Sequence, residues 1–200
     1  MIQLLLATRN PNKTREFAQL LGGNFMVRDL TPESNVPEMV ESGTTFEENA
    51  TLKALAVSKI FPNEIVVADD SGLEVEALGG VPGIFSARYA GENANDRRNV
   101  EKLLRELQDA RDRSARFNCV VALARNGQVM TTVAGEVVGA IAECARGENG
   151  FGYDPIFVPN GFSKTFAELT SETKNEISHR AHAAAALLRH FNTAPTTWPF

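Results

Sequence analysis

The stretch that decides the fold is Ile65-Val66-Val67-Ala68-Asp69-Asp70-Ser71-Gly72. Its first four residues are apolar, which is typical of a short buried strand. Asp, Ser and Gly favour turns, so this strand is expected to end abruptly at Asp69. The residues from Leu73 to Ala77 alternate apolar and polar, which predicts a second, half-exposed strand.

The N-terminus repeats this order of a buried strand followed by a polar turn. Ile2 to Ala7 is the predicted strand, and the turn reads Thr8-Arg9-Asn10-Pro11-Asn12-Lys13. Asn10 followed by Pro11 predicts an N-cap with proline at the first helical position. Phe17, Leu20 and Leu21 then recur at helical spacing. The chain therefore opens as strand, polar turn and helix N-terminus.

Three further helices are expected. Overlapping capping boxes, Thr44 to Glu47 and Thr45 to Glu48, predict a helix start. The apolar stripes expected to face inward are Leu52, Leu55, Ala56 and Ile60 in this helix, Val100, Leu103, Leu104 and Leu107 in a helix over 95–107, and Ala181, Ala185 and Leu188 in a helix from about Ser178.

The second half of the chain adds a hairpin and a glycine-rich loop. Phe117 to Ala124 and Val129 to Val133 flank Asn126-Gly127, a strong hairpin signal. Gly147 to Pro155 is the loop, and Ile156 to Val158 a short strand after it. Helices interleaved with crossover and hairpin strands predict an α/β fold with a mixed central sheet flanked by helices.

Composition narrows the class of protein. The 200 residues suit a single domain, residues 1–200, that needs no disulfide or metal to stabilise it. A formal net charge of −5 argues against nucleic acid as a partner, since phosphate backbones are held by clustered Lys and Arg.

Cys119 and Cys144 form no C-x-x-C pair. No apolar run is long enough for a signal peptide or a bilayer, so no membrane partner and a cytoplasmic location are expected.

The turn from Thr8 to Lys13 is the first candidate site. A helix N-terminus exposes unpaired N–H groups and the positive end of the helix dipole, which attract anions. Thr8, Asn10 and Lys13 add a hydroxyl, an amide and an ammonium group. The chain has no P-loop motif, and a plain N-cap is the alternative.

The second candidate is acidic. Glu41, Asp69 and Asp70 are hard oxygen ligands of the kind that Mg²⁺ takes, together with water and substrate phosphates. A solvated Asp-Asp-Ser-Gly turn is the alternative for Asp69 and Asp70. The anion site at the end of another strand favours the metal, because ligands gather at the carboxyl ends of strands.

The third and fourth candidates suit a nucleobase. Phe151 and Tyr153, set among glycines, suit stacking on a flat ring. His179 and Arg180 would donate hydrogen bonds to a 6-oxo purine, and a site built for that group rejects analogues that lack it. A structural loop and a capped helix start are the respective alternatives.

Six motifs together resemble the HAM1 / inosine triphosphate pyrophosphatase family. Each motif is weak alone, but their order and spacing are specific and span nearly the whole chain. They are Thr8 to Lys13, Glu41 to Ala50, Ala68 to Leu73, Pro82 to Tyr89, Gly150 to Pro155, and Ser178 to Arg180.

The resemblance implies a two-lobed, homodimeric enzyme with its active site in a cleft between the lobes. It would hydrolyse non-canonical purine nucleoside triphosphates (ITP, dITP, XTP) to the monophosphate and pyrophosphate. The implied roles are triphosphate binding by Thr8, Arg9, Asn10, Pro11, Asn12, Lys13 and Lys53, Mg²⁺ binding by Glu41, Asp70 and Asp69, proton acceptance by Asp70, substrate contact by Ser71, and base and sugar binding by Phe151, Gly152, Tyr153, Asp154, Lys174, His179 and Arg180.

Two positions depart from the family pattern, and three alternatives stay open. Arg9 stands where some members carry glycine, and Tyr153 where others carry tryptophan. Residues 193–200 match no motif. The alternative functions are a pyrophosphatase for another modified nucleotide, a non-catalytic nucleotide sensor, and a phosphatase that releases orthophosphate.

Overall fold

A computed structural model describes residues 1–34, 36–37, 39, 41–93 and 95–193. One sheet of six strands runs through the described part of the chain, in the order β2-β1-β3-β4-β5-β6. The strands are β1 (Ile2–Leu6), β2 (Phe25–Asp29), β3 (Ile65–Val75), β4 (Ser114–Arg125), β5 (Gln128–Ile141) and β6 (Phe157–Pro159). β1 pairs in parallel with β2 and β3, and the other pairs are antiparallel. The predicted mixed α/β sheet is confirmed.

Helices cover both faces of the sheet. They are α1 (Pro11–Leu21), α2 (Phe46–Ile60), α3 (Asp96–Glu106), α4 (Ser171–Ile177) and α5 (His179–Thr193), with 3-10 turns at Glu76–Leu78, Gly83–Arg88 and Phe166–Glu168. Helices α1 and α5 pack on one face of β1, β3 and β4, and α2 packs on the other. Within the described ranges, no helix combines the length and apolar character that spanning a membrane requires.

Strand β3 is continuous, so the predicted break at Asp69 is wrong. Asp69 and Asp70 lie inside the strand, paired with Val121 and Val120 of β4. Leu73–Val75 belongs to the same strand, and Ala77 lies in the 3-10 turn that follows. Gly72 is needed for close approach rather than for a turn, because a Cβ there would overlap the Gly83 carbonyl. The antiparallel partner β4 therefore overrides the local turn preference.

Alternation along β3 sends the two aspartates to opposite faces. Side chains of successive strand residues point to opposite faces of a sheet. Ile65 and Val67 pack with α1 and α5, whereas Val66 and Ala68 pack with α2. By the same alternation, Asp69 lies on the face that packs with α1 and α5, and Asp70 lies on the face that packs with α2.

The predicted inner face of α2 is wrong. Leu52 and Ile60 are 41% and 45% exposed, and the buried residues are Asn49, Ala50, Lys53, Ala54, Val57 and Ser58. Asn49, Lys53 and Ser58 can be buried on the side facing the sheet because each has a polar partner there. Partners distant in sequence thus decide which face is buried.

The N-terminal capping of α2 and the buried face of α5 also differ in detail from the predictions. Thr45 is the N-cap of α2 and accepts from the Glu48 N–H, but the carboxylate of Glu48 accepts from the backbone N–H of Thr44. Glu47 forms no box, since its carboxylate accepts from the Thr132 hydroxyl. In α5, Ala181 is buried as predicted, whereas Ala185 is exposed.

Other predicted elements are confirmed. Asn10 caps α1, with Pro11 as its first residue. Helix α3 buries Val100, Leu103 and Leu107, with Leu104 half-buried. Asn126 and Gly127 form the β4–β5 turn with φ of 49° and 72°. Cys119 is buried, and burial raises the pKa of its thiol to about 12. Residues 194–200, which include nearly all of the unassigned tail, lie outside the described residues.

Candidate active site

One cavity gathers residues from most of the predicted motifs. It is partly open to solvent and has a volume of about 150 Å³. The sequence-predicted residues that line it are Asn10, Lys13, Glu41, Asp70, Ser71, Phe151, Gly152, Tyr153, Asp154, His179 and Arg180. Five of the six motifs therefore contribute predicted site residues to this cavity.

The turn between β1 and α1 lies where β1 stops and β3 continues. β1 pairs with β3 only as far as Leu6, opposite Val67. Beyond this point no strand of the described residues lies beside this edge of β3, and the turn lies there. Inside the turn, the Thr8 hydroxyl accepts from the Asn10 N–H at 3.1 Å, and the Asn10 side chain accepts from the Asn12 N–H at 2.9 Å. These bonds shape the turn that carries Lys13.

Five predicted phosphate-binding residues do not line the cavity wall. Lys53 pairs with Glu41 and Asp70, Thr8 lies in the turn, and Pro11 and Asn12 begin α1. The guanidinium of Arg9 donates to the carbonyls of Glu33 and Val36, at 3.0 and 2.6 Å. Arg9 therefore fastens the segment after β2 to the turn.

Six charged side chains form an alternating series, here named the charge chain. Its consecutive contacts are Lys13–Asp69 at 2.8 Å, Asp69–Arg180 at 3.8 Å, Arg180–Glu16 at 3.0 Å, Glu16–Lys174 at 2.8 Å and Lys174–Asp154 at 2.5 Å. Each buried charge lies beside an opposite one, which is the condition for burying ions without a large loss of stability.

The charge chain sets the protonation of its carboxylates. Burial raises the pKa of Asp69, but Lys13 and Arg180 more than offset this and hold it well below the usual value. Glu16 is lowered in the same way by Arg180 and Lys174, so its pKa also lies below normal. For Asp154 burial outweighs Lys174, and its pKa is raised.

A second group of charges, here named the carboxylate group, lies on the α2 side of β3. The ammonium of Lys53 donates to Glu41 at 2.7 Å and to Asp70 at 3.3 Å. Arg88 reaches Glu41 at 3.3 Å. Asp70 keeps one oxygen, Oδ2, that is buried and has no hydrogen-bond partner. Burial raises the pKa of Asp70, Lys53 acts against the rise and Glu41 adds to it.

The carboxylate group suits a hard divalent cation. Mg²⁺ commonly takes one or two carboxylates and completes its shell with water and substrate phosphates. Glu41 and Asp70 supply two carboxylates around one lysine, and Oδ2 of Asp70 has free lone pairs. No three His, Cys, Asp or Glu side chains converge as a metal cluster within the described residues. Asp69 is engaged by Lys13 and Ser71 on the other face of β3.

The remaining wall of the cavity is aromatic and cationic. The Arg180 guanidinium lies 4.9 Å from the Phe151 ring centre, and its Nε, 3.8 Å from Asp69, makes no hydrogen bond. His179 stacks on Phe117 at 4.7 Å and 11°, and its Nδ1 has no partner. Burial, with Arg180 as the next cause, lowers the pKa of His179 well below 6.5, so the ring is neutral at pH 7. Unpaired polar atoms beside aromatic faces suit a flat, polar ring system.

Tyr153 has a different position from the one that stacking would need. It is 4% exposed, and its hydroxyl donates to the Ser86 carbonyl at 2.9 Å. Of the two aromatic residues in the loop, Phe151 is the one that remains half-exposed. The loop needs Gly150, at φ +77°, because a Cβ there would overlap the Asp154 carboxylate.

Four residues beside the cavity escaped sequence reasoning. Glu16 bridges Lys174 and Arg180, Arg88 pairs with Glu41, and Asp96 accepts from the Gly152 N–H at 2.6 Å. Asn49 is wholly buried and accepts from the Gly43 N–H at 2.8 Å. One signal was present: Asn49 and Lys53 are polar residues one helical turn apart in α2.

The fold and the cavity define a class: a mixed α/β protein in which a helix N-terminus, a pair of carboxylates and an aromatic–cationic wall surround one space. The chain belongs to the Ham1 family, whose model matches residues 4–190. Proteins named dITP/XTP pyrophosphatase from Bacillus licheniformis and Bacillus subtilis (strain 168) are each 50% identical over 190 residues, covering 94% of this chain and 96% of theirs.

Solved structures of Ham1 proteins are also similar to this chain. The Staphylococcus aureus Ham1 protein is 43% identical with a TM-score of 0.84, covering 95% of this chain and 98% of its own. A HAM1 protein from Coxiella burnetii is 42% identical with a TM-score of 0.84, covering 97% and 100%. Similarity therefore extends over the whole described fold.

Proposed function

We propose that this protein is a nucleoside-triphosphate pyrophosphatase that hydrolyses dITP, XTP and ITP to the monophosphate and pyrophosphate. The single observation that carries the proposal is the unpaired, buried Oδ2 of Asp70, a residue that lines the same cavity as Lys13 and Arg180. The names of the relatives support the substrate class.

Glu41 and Asp70 are the proposed ligands of Mg²⁺, and Asp69 is left out because Lys13, Ser71 and Arg180 occupy it. The charge chain and the carboxylate group contain equal numbers of cations and anions, so an anionic triphosphate needs further positive charge. A bound divalent cation supplies that charge and polarises the phosphate oxygens.

Asp70 is the proposed proton acceptor for the attacking water. A positioned general base contributes about 10²–10⁴ in rate. Its unpaired oxygen suits this role. Lys13 and Lys53, together with the N-terminus of α1, would stabilise the pyrophosphate leaving group.

Arg180 and His179 are proposed to recognise the 6-oxo group, and Phe151 to stack on the base. Lys174 and Asp154 support Phe151 from behind: the Lys174 ammonium lies 5.3 Å from its ring centre, and Asp154 accepts from its N–H at 2.9 Å. A 6-amino group would meet donors instead of acceptors, which disfavours adenine.

Three expectations belong to the same proposal. The chain forms one two-lobed domain with the cavity in the cleft between lobes, it assembles as a homodimer, and it acts in the cytoplasm. The two-lobed arrangement is supported by two apolar clusters on one face of β3, around Val67 and around Leu73, with Asp69 and Ser71 between them in the alternation.

The deciding experiment is a nucleotide panel with and without Mg²⁺. dITP, XTP and ITP should release pyrophosphate with added Mg²⁺, and dATP and dGTP should be much poorer substrates. Release of orthophosphate would point to a phosphatase, and binding without turnover to a sensor. Faster turnover of another modified nucleotide would replace the proposed substrate.

A further inference from the structure

Asn49 is a buried polar residue that the proposed chemistry does not use. It lies in the first turns of α2 and is 0% exposed. Its Oδ1 accepts from the Gly43 N–H at 2.8 Å, while its Nδ2 has no partner. Leaving a buried amide donor unpaired is destabilising, so its retention in the core calls for a reason.

The contact with Gly43 ties the Glu41 loop to the helix. Glu41 stands two residues before Gly43, and the loop lies so close to α2 that a Cβ at Gly43 would come within 2.7 Å of the Glu48 Cβ and 2.8 Å of Asn49 Oδ1. The position of Glu41 therefore depends on a backbone bond that Asn49 provides.

The Nδ2 end of the amide lies on the same side of β3 as Asp70. Lys53, one helical turn after Asn49, occupies Oδ1 of Asp70, and Oδ2 is the oxygen that remains unpaired. Nδ2 of Asn49 is likewise buried and without a hydrogen-bond partner. A buried donor and a buried acceptor, each unpaired, therefore lie on the α2 side of this strand.

We propose that Asn49 is a positioning residue whose amide holds the Gly43 backbone with its oxygen and directs Asp70 with its nitrogen, fixing the spacing between Glu41 and Asp70. This inference rests on the proposed function, in which these two carboxylates receive the metal ion. Substituting a residue that hydrogen-bonds to a metal ligand typically changes metal affinity or activity about 10–100-fold.

The test compares Asn49→Ala and Asn49→Asp with the control Ser58→Ala. Ser58 is also 0% exposed in α2, and it accepts from the Gly127 N–H away from the cavity. Asn49→Asp keeps the acceptor for Gly43 but loses the donor. We measure kcat and KM for dITP, the Mg²⁺ concentration for half-maximal rate, hydrogen exchange of the Gly43 amide, and the melting temperature.

Asn49→Ala should lower kcat about 10–100-fold, raise the Mg²⁺ requirement and change KM for dITP less than kcat. Exchange at the Gly43 amide should become faster in Asn49→Ala and stay slow in Asn49→Asp, which should still lose kcat. Ser58→Ala should lose melting temperature but keep kcat. If Asn49→Ala does not fold, the isosteric Asn49→Asp decides.

Wild-type kcat and Mg²⁺ dependence in Asn49→Asp, or an equal kcat loss in Ser58→Ala, would overturn the proposal. Full turnover in Asp70→Asn would instead overturn the proposed function. The exchange of the Gly43 amide separates the two failures, because it reports the Asn49 contact without any turnover.

Discussion

Two neighbouring aspartates on β3 meet opposite environments. Asp69 faces α1 and α5, where Lys13, Ser71 and Arg180 hold its carboxylate and its pKa is low. Asp70 faces α2, shares Lys53 with Glu41, keeps Oδ2 unpaired and has a raised pKa. Identical side chains one residue apart therefore have different chemistry.

The difference shows that a carboxylate fully paired by cations serves the structure, whereas an incompletely paired one is available for chemistry. A carboxylate whose oxygens are paired by fixed cations has little capacity left for a ligand. One with free lone pairs in a low-dielectric site is available to a metal ion or a water proton, and perturbed groups of this kind cluster at functional sites. On this comparison Asp69 anchors the charge chain, and Asp70 is the proposed base.

The largest expected effect is the loss of turnover in Asp70→Asn. Removing the proposed base should lower kcat by about 10²–10⁴, while the melting temperature stays the same or rises because an incompletely paired buried charge is removed. Steady-state kinetics with dITP and thermal melting measure both. Near-wild-type turnover in Asp70→Asn would show that Asp70 is not the base.

Asp69→Asn should show the reverse pattern, with stability as the main loss. The change leaves Lys13 and Arg180 without their shared anion, and breaking a buried pair from one side costs about 3–5 kcal/mol. Chemical denaturation measures the free energy of unfolding. An Asp69→Asn variant as stable as wild type, with activity lost as in Asp70→Asn, would show that both aspartates act alike.

Arg180→Lys sharpens the comparison on the charge-chain side. Lysine keeps the positive charge between Glu16 and Asp69 but loses the planar guanidinium over Phe151. The ratio of kcat/KM for dITP over dATP should fall about tenfold or more. Arg189→Lys, an exposed position in the same helix, is the matched control. An unchanged ratio in Arg180→Lys would remove Arg180 from base recognition.

The smallest effect concerns His179 and pH. Because burial lowers the pKa of His179 in the folded state, the unfolded chain binds a proton below about pH 6.5 that the folded chain does not. Stability should therefore fall as pH drops below 6.5, with His179 contributing up to about 1.4 kcal/mol per pH unit. Denaturation of His179→Gln at several pH values should show a shallower fall.

The exposed His182, altered in the same way, is the control for this measurement. The same slope in wild type and His179→Gln would mean that His179 is protonated in the folded protein, contrary to its buried position.

Local rules predicted the elements that depend on neighbours in sequence. Strand β1, the N-cap at Asn10, helix α3 and the Asn126-Gly127 turn follow from capping, periodicity and turn chemistry within a few residues. Many of the residues that the sequence predicts for anion binding, metal binding and stacking line one cavity, and their roles stay predictions.

By itself, the sequence determined the α/β class, the starts of α1 and α3 and the motifs that meet at the cavity. Only the tertiary structure decided that β3 continues through Asp69, that Asn49 and Lys53 rather than Leu52 and Ile60 lie inward, and that Glu16 joins the charge chain. The reason is physical. A buried charge is stable only beside a partner, and these partners come from segments that sequence patterns do not relate.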